Sequence, residues 1–235
     1  MHKNQIGILL YRKLIKENDL FVKILLDNNS IVTGIVYGGS SSKKKNIYQI
    51  GYYLNLRLNK KNSNSLYIIE AEISYPLVGS IINDKFKLYC ILSIVSLINI
   101  SIVEGQIVKG LFENTDKFIN NLITKKNWII LYCKWLFDLL KVIGYEIDYK
   151  SNLKNSFFDI ELIIFTNIKN HNTYEFPHQF LANKTRIQSK YLEIIFTIFE
   201  KVFKSNHLNN INYKLPYSYI NFKKLIINYL IKNHG

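Results

Sequence analysis

The sequence predicts an α+β fold, a small closed β-barrel followed by a mainly helical region, and three observations carry that expectation. Five short apolar or alternating runs, joined by turn-rich segments, fill the chain from Gln5 to Ser74. At Tyr75-Pro76 the apolar spacing changes from a period near two to one near 3.6. Between the third and fourth runs lie Gly38-Gly39, three serines and Lys43, Lys44 and Lys45, a strand feeding a cationic loop.

The strands are expected at residues 6–11, 20–26, 31–37, 49–58 and 66–74. Residues 12–19 are charged and read as a connection, which places Arg12, Lys13 and Lys16 in the first turn. Asp27-Asn28-Asn29-Ser30 has the composition of a tight hairpin turn. Residues 46–53 resume a strand-like pattern after the lysines. In the fourth strand Leu54, Leu56 and Leu58 share one face, and Asn55 and Arg57 the other. Five short strands joined by turns suggest closure into a barrel rather than a layered sheet.

Helices are expected at 85–103, 106–114, 116–123 and 128–143, with Asp116 opening one and Gly144 closing another. Residues 145–182 are irregular, with 157–166 strand-like and 171–180 loop-like. Helical spacing returns over 185–204, where Ile187, Tyr191, Ile194, Ile195, Ile198 and Phe199 form a stripe. Ser218 is placed to cap a last helix reaching Asn233. The expected domains are a barrel at 1–76 and a helical domain at 77–235, with an irregular, cysteine-free insert at about 146–182.

The chain has 31 Lys and Arg against 17 Asp and Glu, a formal charge of +14. AT-rich coding also inflates Lys, Asn and Ile, but it does not by itself starve a chain of acids. The surplus favours polyanions, nucleic acid first and an acidic membrane second. Residues 88–103 are uncharged but carry Ser93, Ser96, Asn99 and Ser101, so a buried helix fits better than a membrane span. Met1 to Gln5 lacks the apolar run of a signal peptide. Cys90 and Cys133, both in apolar segments, are too few for a disulfide framework and fit a reduced, cytoplasmic setting.

Catalytic and metal motifs are not found. The loop after Gly38 lacks the glycine before its lysine, and the helix, that a nucleotide-hydrolysing phosphate loop requires. The five histidines, among them His171 and His178 in one loop, have no zinc-ligand spacing. No serine sits in a strand-turn-helix elbow. A backbone-phosphate clamp suits the loop better: glycines allow close approach, serines donate, and lysines supply charge. A solvated loop tip is the plainer alternative. Tyr37, Tyr48, Tyr52 and Tyr53 flank the lysines, and aromatic rings beside a cationic groove can stack bases without regard to sequence. Alternation forbids Tyr52 and Tyr53 from both facing inward. Candidate nucleic-acid contacts are therefore Arg12, Lys13, Lys16, Tyr37, Lys43, Lys44, Lys45, Tyr48, Tyr52 and Arg57. Trp128 and Trp135 are expected in the helical core.

With those residues in hand, the chain resembles the RecO family of bacterial recombination mediators. The resemblance rests on Gly7-Ile8-Leu9-Leu10, on Lys16-Glu17-Asn18-Asp19-Leu20, and on Thr33-Gly34-Ile35-Val36-Tyr37-Gly38-Gly39 with its basic sequel. Leu54-Asn55-Leu56-Arg57-Leu58, Ala71-Glu72-Ile73 and the segment from Leu139 through Gly144-Tyr145 to Asp148 add to it. It implies an N-terminal OB-fold, a central helical domain and no enzymatic turnover; no cofactor is expected. It implies binding of single- and double-stranded DNA, annealing of single strands, and contact with RecR and with the C-terminal tail of single-strand binding protein. It also implies indirect help in loading RecA, and a nucleoid-associated location. The lysine loop aligns with the family's basic barrel loop. Many members carry a cysteine-ligated zinc module after the Gly-Tyr position; residues 145–182 here contain no cysteine, so zinc is not expected. An adaptor whose basic surface takes acidic protein tails is the alternative reading.

Overall fold

The computed structural model describes residues 5–62, 65–75, 77–209 and 213–234, without the side chains of residues 77, 78 and 234. It divides into two compact units, Met1–Glu113 with Pro216–Tyr219, and Asn114–Leu215 with Ile220–Gly235.

In the first unit β1 (Gln5–Lys16), β2 (Asp19–Leu26), β3 (Ile31–Val36), β4 (Tyr53–Asn59) and β5 (Tyr67–Tyr75) close into a barrel in the order β1-β2-β3-β5-β4. Neighbours are antiparallel except β3 and β5, which run parallel and pair only at Gly34–Tyr67 and Ile35–Ile68. Alternate residues fill the interior, among them Leu9, Val22, Ile24, Val32, Leu54 and Ile69. Leu54 and Leu56 are buried while Asn55 and Arg57 are exposed, as the alternation requires.

Two details of the barrel differ from expectation. β1 does not stop at Tyr11: it pairs with β2 through Arg12–Val22, Lys13–Phe21 and Lys16–Asp19. Arg12, Lys13 and Lys16 are thus strand residues, and the turn is Glu17-Asn18. A polar strand end is stable here because its ladder, not apolar burial, holds it. Residues 46–52 do not resume a strand; residues 37–51 form a chain of turns with bends at Ser41 and Tyr48, and β4 begins at Tyr53.

Helix α1 (Lys85–Ser101) opens on Asp84, whose carboxylate accepts from the Lys87 amide at 3.1 Å. Its far end is tied to the barrel by Lys23. That amine donates to the carbonyls of Asn99 (2.6 Å) and Ile102 (2.7 Å), which lack helical partners. Burial pushes the Lys23 pKa down, while the Glu104 charge works the other way. Residues 106–110 are not helical: Ile107 forms an isolated antiparallel bridge with Ser30 and Lys109-Gly110 is a turn, and α2 (Leu111–Thr124) starts upstream of Asp116. Its cap comes from the β2–β3 turn: Asn29 accepts from the Phe112 amide at 2.8 Å and donates to Glu113 at 3.0 Å.

In the second unit α3 (Trp128–Val142) ends in two reverse hydrogen bonds, Gly144 N–H to Lys141 and Tyr145 N–H to Leu140. Gly144 sits at φ 96°, as a closing glycine should. Trp135 is buried, Trp128 is half-buried against Phe222, and the Tyr132 ring meets Phe222 edge-on at 4.8 Å. The irregular segment contains a small sheet of β6 (Phe157–Asp159), β7 (Ile164–Thr166) and β8 (Thr173–Glu175), in the order β7-β6-β8. The strand expected over 157–166 is therefore a hairpin, and residues 171–180 hold β8 and the single turn α4 (His178–Leu181) rather than a loop. Phe176 gathers Phe137, Phe158, Phe165 and His178 around it. Among the described residues no three His, Cys, Asp or Glu side chains come together as a metal site. Helix α5 (Ser189–Phe203) runs into a wide turn at Lys204–Leu208. In α6 (Tyr217–His234) Ser218 lies inside the helix, not at its cap. Both cysteines are buried and outside any disulfide, and no described helix is long and apolar enough to cross a membrane.

The weakest seam of the barrel is the short parallel contact. A Cβ at Gly34 would lie 2.5 Å from the Tyr67 carbonyl oxygen, so Gly34→Ala has to push β5 away. The expected loss of stability is roughly 1–3 kcal/mol by denaturant unfolding, with faster amide exchange in β3 and β5. A variant as stable as the wild type would show that the barrel does not depend on that seam.

Candidate nucleic-acid interface

The segment that carries the lysines is a bracket rather than a loose tip. Gly38, at φ 63°, turns the chain after β3, and its N–H donates to the Asp19 carboxylate at 2.8 Å. A Cβ at Gly39 would lie 2.8 Å from Val36 Cγ1 and 2.9 Å from Leu20 Cδ1, so those side chains would have to shift to admit one. The Ser40 amide then donates to the Asn18 carbonyl at 2.9 Å. The β1–β2 hairpin tip and the loop are thus neighbours. Turn bonds from Lys44 and Lys45 to Ser41, and from Ile47 to Lys44, continue the bracket.

Tyr48 anchors it. The side chain is 2% exposed and sits within the barrel core beside Leu9 and Leu56. Its hydroxyl accepts from the Ala71 N–H at 3.0 Å, and its carbonyl accepts from the Arg12 guanidinium at 2.6 Å. Burial raises the Tyr48 pKa above the ordinary tyrosine value; the Ala71 hydrogen bond opposes this and the Glu70 charge adds to it. The expectation that Tyr48 stacks bases is therefore corrected: the ring is already packed, and the residue positions the loop instead.

The other candidate residues divide by place. Lys43, Lys44 and Lys45 are exposed on the bracket, and the Lys44 amine reaches the Tyr37 carbonyl at 3.1 Å. Tyr37 is half exposed, and Tyr52 is partly buried against the barrel core. Arg12 joins the bracket through Tyr48. Lys13 follows it on β1, where successive side chains point to opposite faces, and is exposed. Lys16 lines a shallow depression with Glu17, Asn18 and Asp19. Arg57 shares a hollow with Lys44, but Glu70 and Glu72 line it as well.

The ion pairs found among the described residues lie elsewhere. Lys87–Asp84 is at the start of α1, and Lys141–Glu146, Lys201–Glu161, Lys204–Glu200 and Lys223–Glu200 are in the second unit. The bracket lysines therefore present charge that these carboxylates do not neutralise. Three participants escape a reading of the sequence. Asp19 anchors Gly38 across distant chain positions, and no local signal marks it. Glu70 and Glu72 alternate on β5 opposite Arg57 and Asn55 on β4, and that two-residue periodicity is the signal that could have found them.

A closed five-stranded barrel in this strand order, leading into a helical region, defines the class: an OB-like barrel protein with a helical extension. Residues 1–76 match the family described as recombination protein O N terminal, and residues 82–156 match recombination protein O C terminal. The chain belongs to the recombination protein O family. It is 28% identical over 162 residues to the DNA repair protein RecO of Rickettsia canadensis, covering 67% of this chain and 66% of that one. The same protein of Rickettsia bellii is 28% identical over 162 residues, with 68% and 66% covered. That of Rickettsia akari is 28% identical over 149 residues, with 63% and 62% covered. The chain thus spans just under two thirds of the length of the curated relatives it matches.

Tyr48→Phe removes the partner of a half-buried amide while keeping the ring. The expected loss is about 1–2 kcal/mol, read by denaturant unfolding. The raised phenol value also sets a pH dependence. Because the folded pKa lies above the unfolded one, near 10, the contribution is complete below about pH 10 and is lost as pH rises through the folded value. Tyr149, pushed up to about 12 by burial, adds a loss of the same sign. Tyr48→Phe should therefore show less alkaline destabilisation than the wild type; identical alkaline curves would separate Tyr48 from it.

Proposed function

We propose that this chain is a non-enzymatic DNA-binding mediator of recombination and repair, which binds and anneals single-stranded DNA and helps load a recombinase. One observation carries the reading: three exposed lysines, unmatched by the ion pairs described, on a hydrogen-bonded bracket anchored in an OB-like barrel. Lysines on a fixed frame meet successive phosphates with little ordering left to do on binding. Half-exposed Tyr37 and the more deeply buried Tyr52 offer ring faces beside them. Family membership and the relatives' name, DNA repair protein RecO, support the same role.

The barrel over 1–76 is the proposed binding module, with the helical part over 77–235 extending the basic surface. The proposed partners are RecR and the C-terminal tail of single-strand binding protein, with RecA served indirectly. The proposed setting is the bacterial cytoplasm, at the nucleoid. Binding is expected to be sequence-tolerant and driven by counterion release.

Replacing Lys43, Lys44 and Lys45 together with Ala should flatten the log K against log salt slope by about 2 units on single-stranded DNA, at about 0.7 for each phosphate that the variant leaves unneutralised. An unchanged slope removes the bracket from the binding surface. No binding by the wild type at low salt would instead favour the adaptor for acidic tails.

A further inference from the structure

Two hollows flank the bracket within the first unit, and they differ in charge. The one of about 270 Å³ that holds Lys44 and Arg57 is also lined by Glu70 and Glu72, which repel a nucleic-acid strand. The other, about 470 Å³, has no carboxylate among its lining residues. The bracket gives it Asn46, Gln49 and Tyr52, β1 gives it Arg12, and Ile82 and Leu88 come from the start of α1 and the turn before it.

The chemistry of this second hollow is mixed in a particular way. Tyr52 packs partly on the barrel core, so its ring is held firmly where it lines the cavity. Ile82 is 61% exposed, an apolar surface with no obvious structural duty. Asn46 and Gln49 each carry a donor and an acceptor; the Gln49 amide already donates to the Lys45 carbonyl, which leaves its oxygen to accept. Arg12 donates one N–H to the Tyr48 carbonyl and retains others. One aromatic ring, aliphatic side chains, amide groups and flanking cations suit a nucleobase on its phosphodiester. A purely acidic peptide would use the cations and leave the amides idle.

We propose that this hollow receives one unstacked base of a single-stranded nucleic acid. Tyr52, Ile82 and Leu88 cover its faces, the amides of Asn46 and Gln49 meet its edge, and Arg12 with the bracket lysines holds the adjoining phosphates. The proposal rests on the DNA-binding reading above and goes beyond it. A base inside a duplex must leave its stack to enter, so the hollow makes the site prefer single strands.

The test is fluorescence anisotropy of the full chain with an oligothymidine and with an abasic strand of equal length and charge. Both are titrated over a series of salt concentrations. The wild type should bind the base-bearing strand at least about fivefold tighter than the abasic one. In Tyr52→Ala that ratio should fall below about twofold, with the salt slope unchanged. The double variant Asn46→Ala with Gln49→Ala, which leaves the barrel core untouched, should lower the ratio as well and stands in if Tyr52→Ala does not fold. Equal binding of both strands by the wild type, or a ratio that the folded variants retain, overturns the base pocket while leaving the DNA-binding reading intact. No binding of either strand at low salt overturns both.

Discussion

A buried phenol holds the charged segment of this protein in place. The Tyr48 hydroxyl takes the Ala71 amide hydrogen, its ring fills the barrel among Leu9, Leu56 and Ile69, and its carbonyl takes a hydrogen bond from Arg12. Without that anchor, residues 37–51 would be a tethered polycation that bears the full ordering entropy of every side chain on binding. With it, Lys43, Lys44 and Lys45 lie on turns whose ends are bonded to Asn18 and Asp19 on one side and run into β4 on the other. The dry interior of the barrel thus sets the position of its wet, charged edge.

Charge follows the same division of labour. Carboxylates sit where they hold structure: Asp84 and Glu113 near helix starts, Asp19 at the bracket, and Glu200 between two lysines of the second unit. Lysine is used structurally in the first unit at Lys23, which satisfies the open carbonyls of α1 despite partial desolvation. The cations of the bracket keep their charge for solvent or a ligand. A chain with a formal charge of +14 has more positive groups than its fold consumes, and part of that surplus sits on a rigid mount.

Much of the fold could be read from sequence because it is written in short-range periodicity. The alternation in Leu54-Asn55-Leu56-Arg57, the switch after Tyr75 and the glycine after α3 are local signals with local causes. The misread parts depend on distant partners. The helix expected from Asp116 starts instead at Leu111, because Asn29, far away in the chain, caps it. Arg12 to Lys16 look like a turn, yet a ladder to β2 makes them strand. Residues 46–52 alternate as a strand would, but Tyr48 is drawn inward as a plug, which the alternation cannot distinguish. Of the candidate site, the lysines and Tyr52 were legible as types in a pattern. The role of Tyr48 was not, since burial decides between a stacking ring and an anchoring one.

The central claim is that a lysine bracket, fixed by the barrel, is where a nucleic-acid strand first meets this protein. Hydrogen exchange followed by mass spectrometry, with and without a saturating single-stranded oligonucleotide, tests it most directly. Added protection should concentrate in residues 37–52 and at the adjoining β1–β2 tip. Protection confined to residues 114–209, with the bracket exchanging as it does in the free protein, would contradict the account.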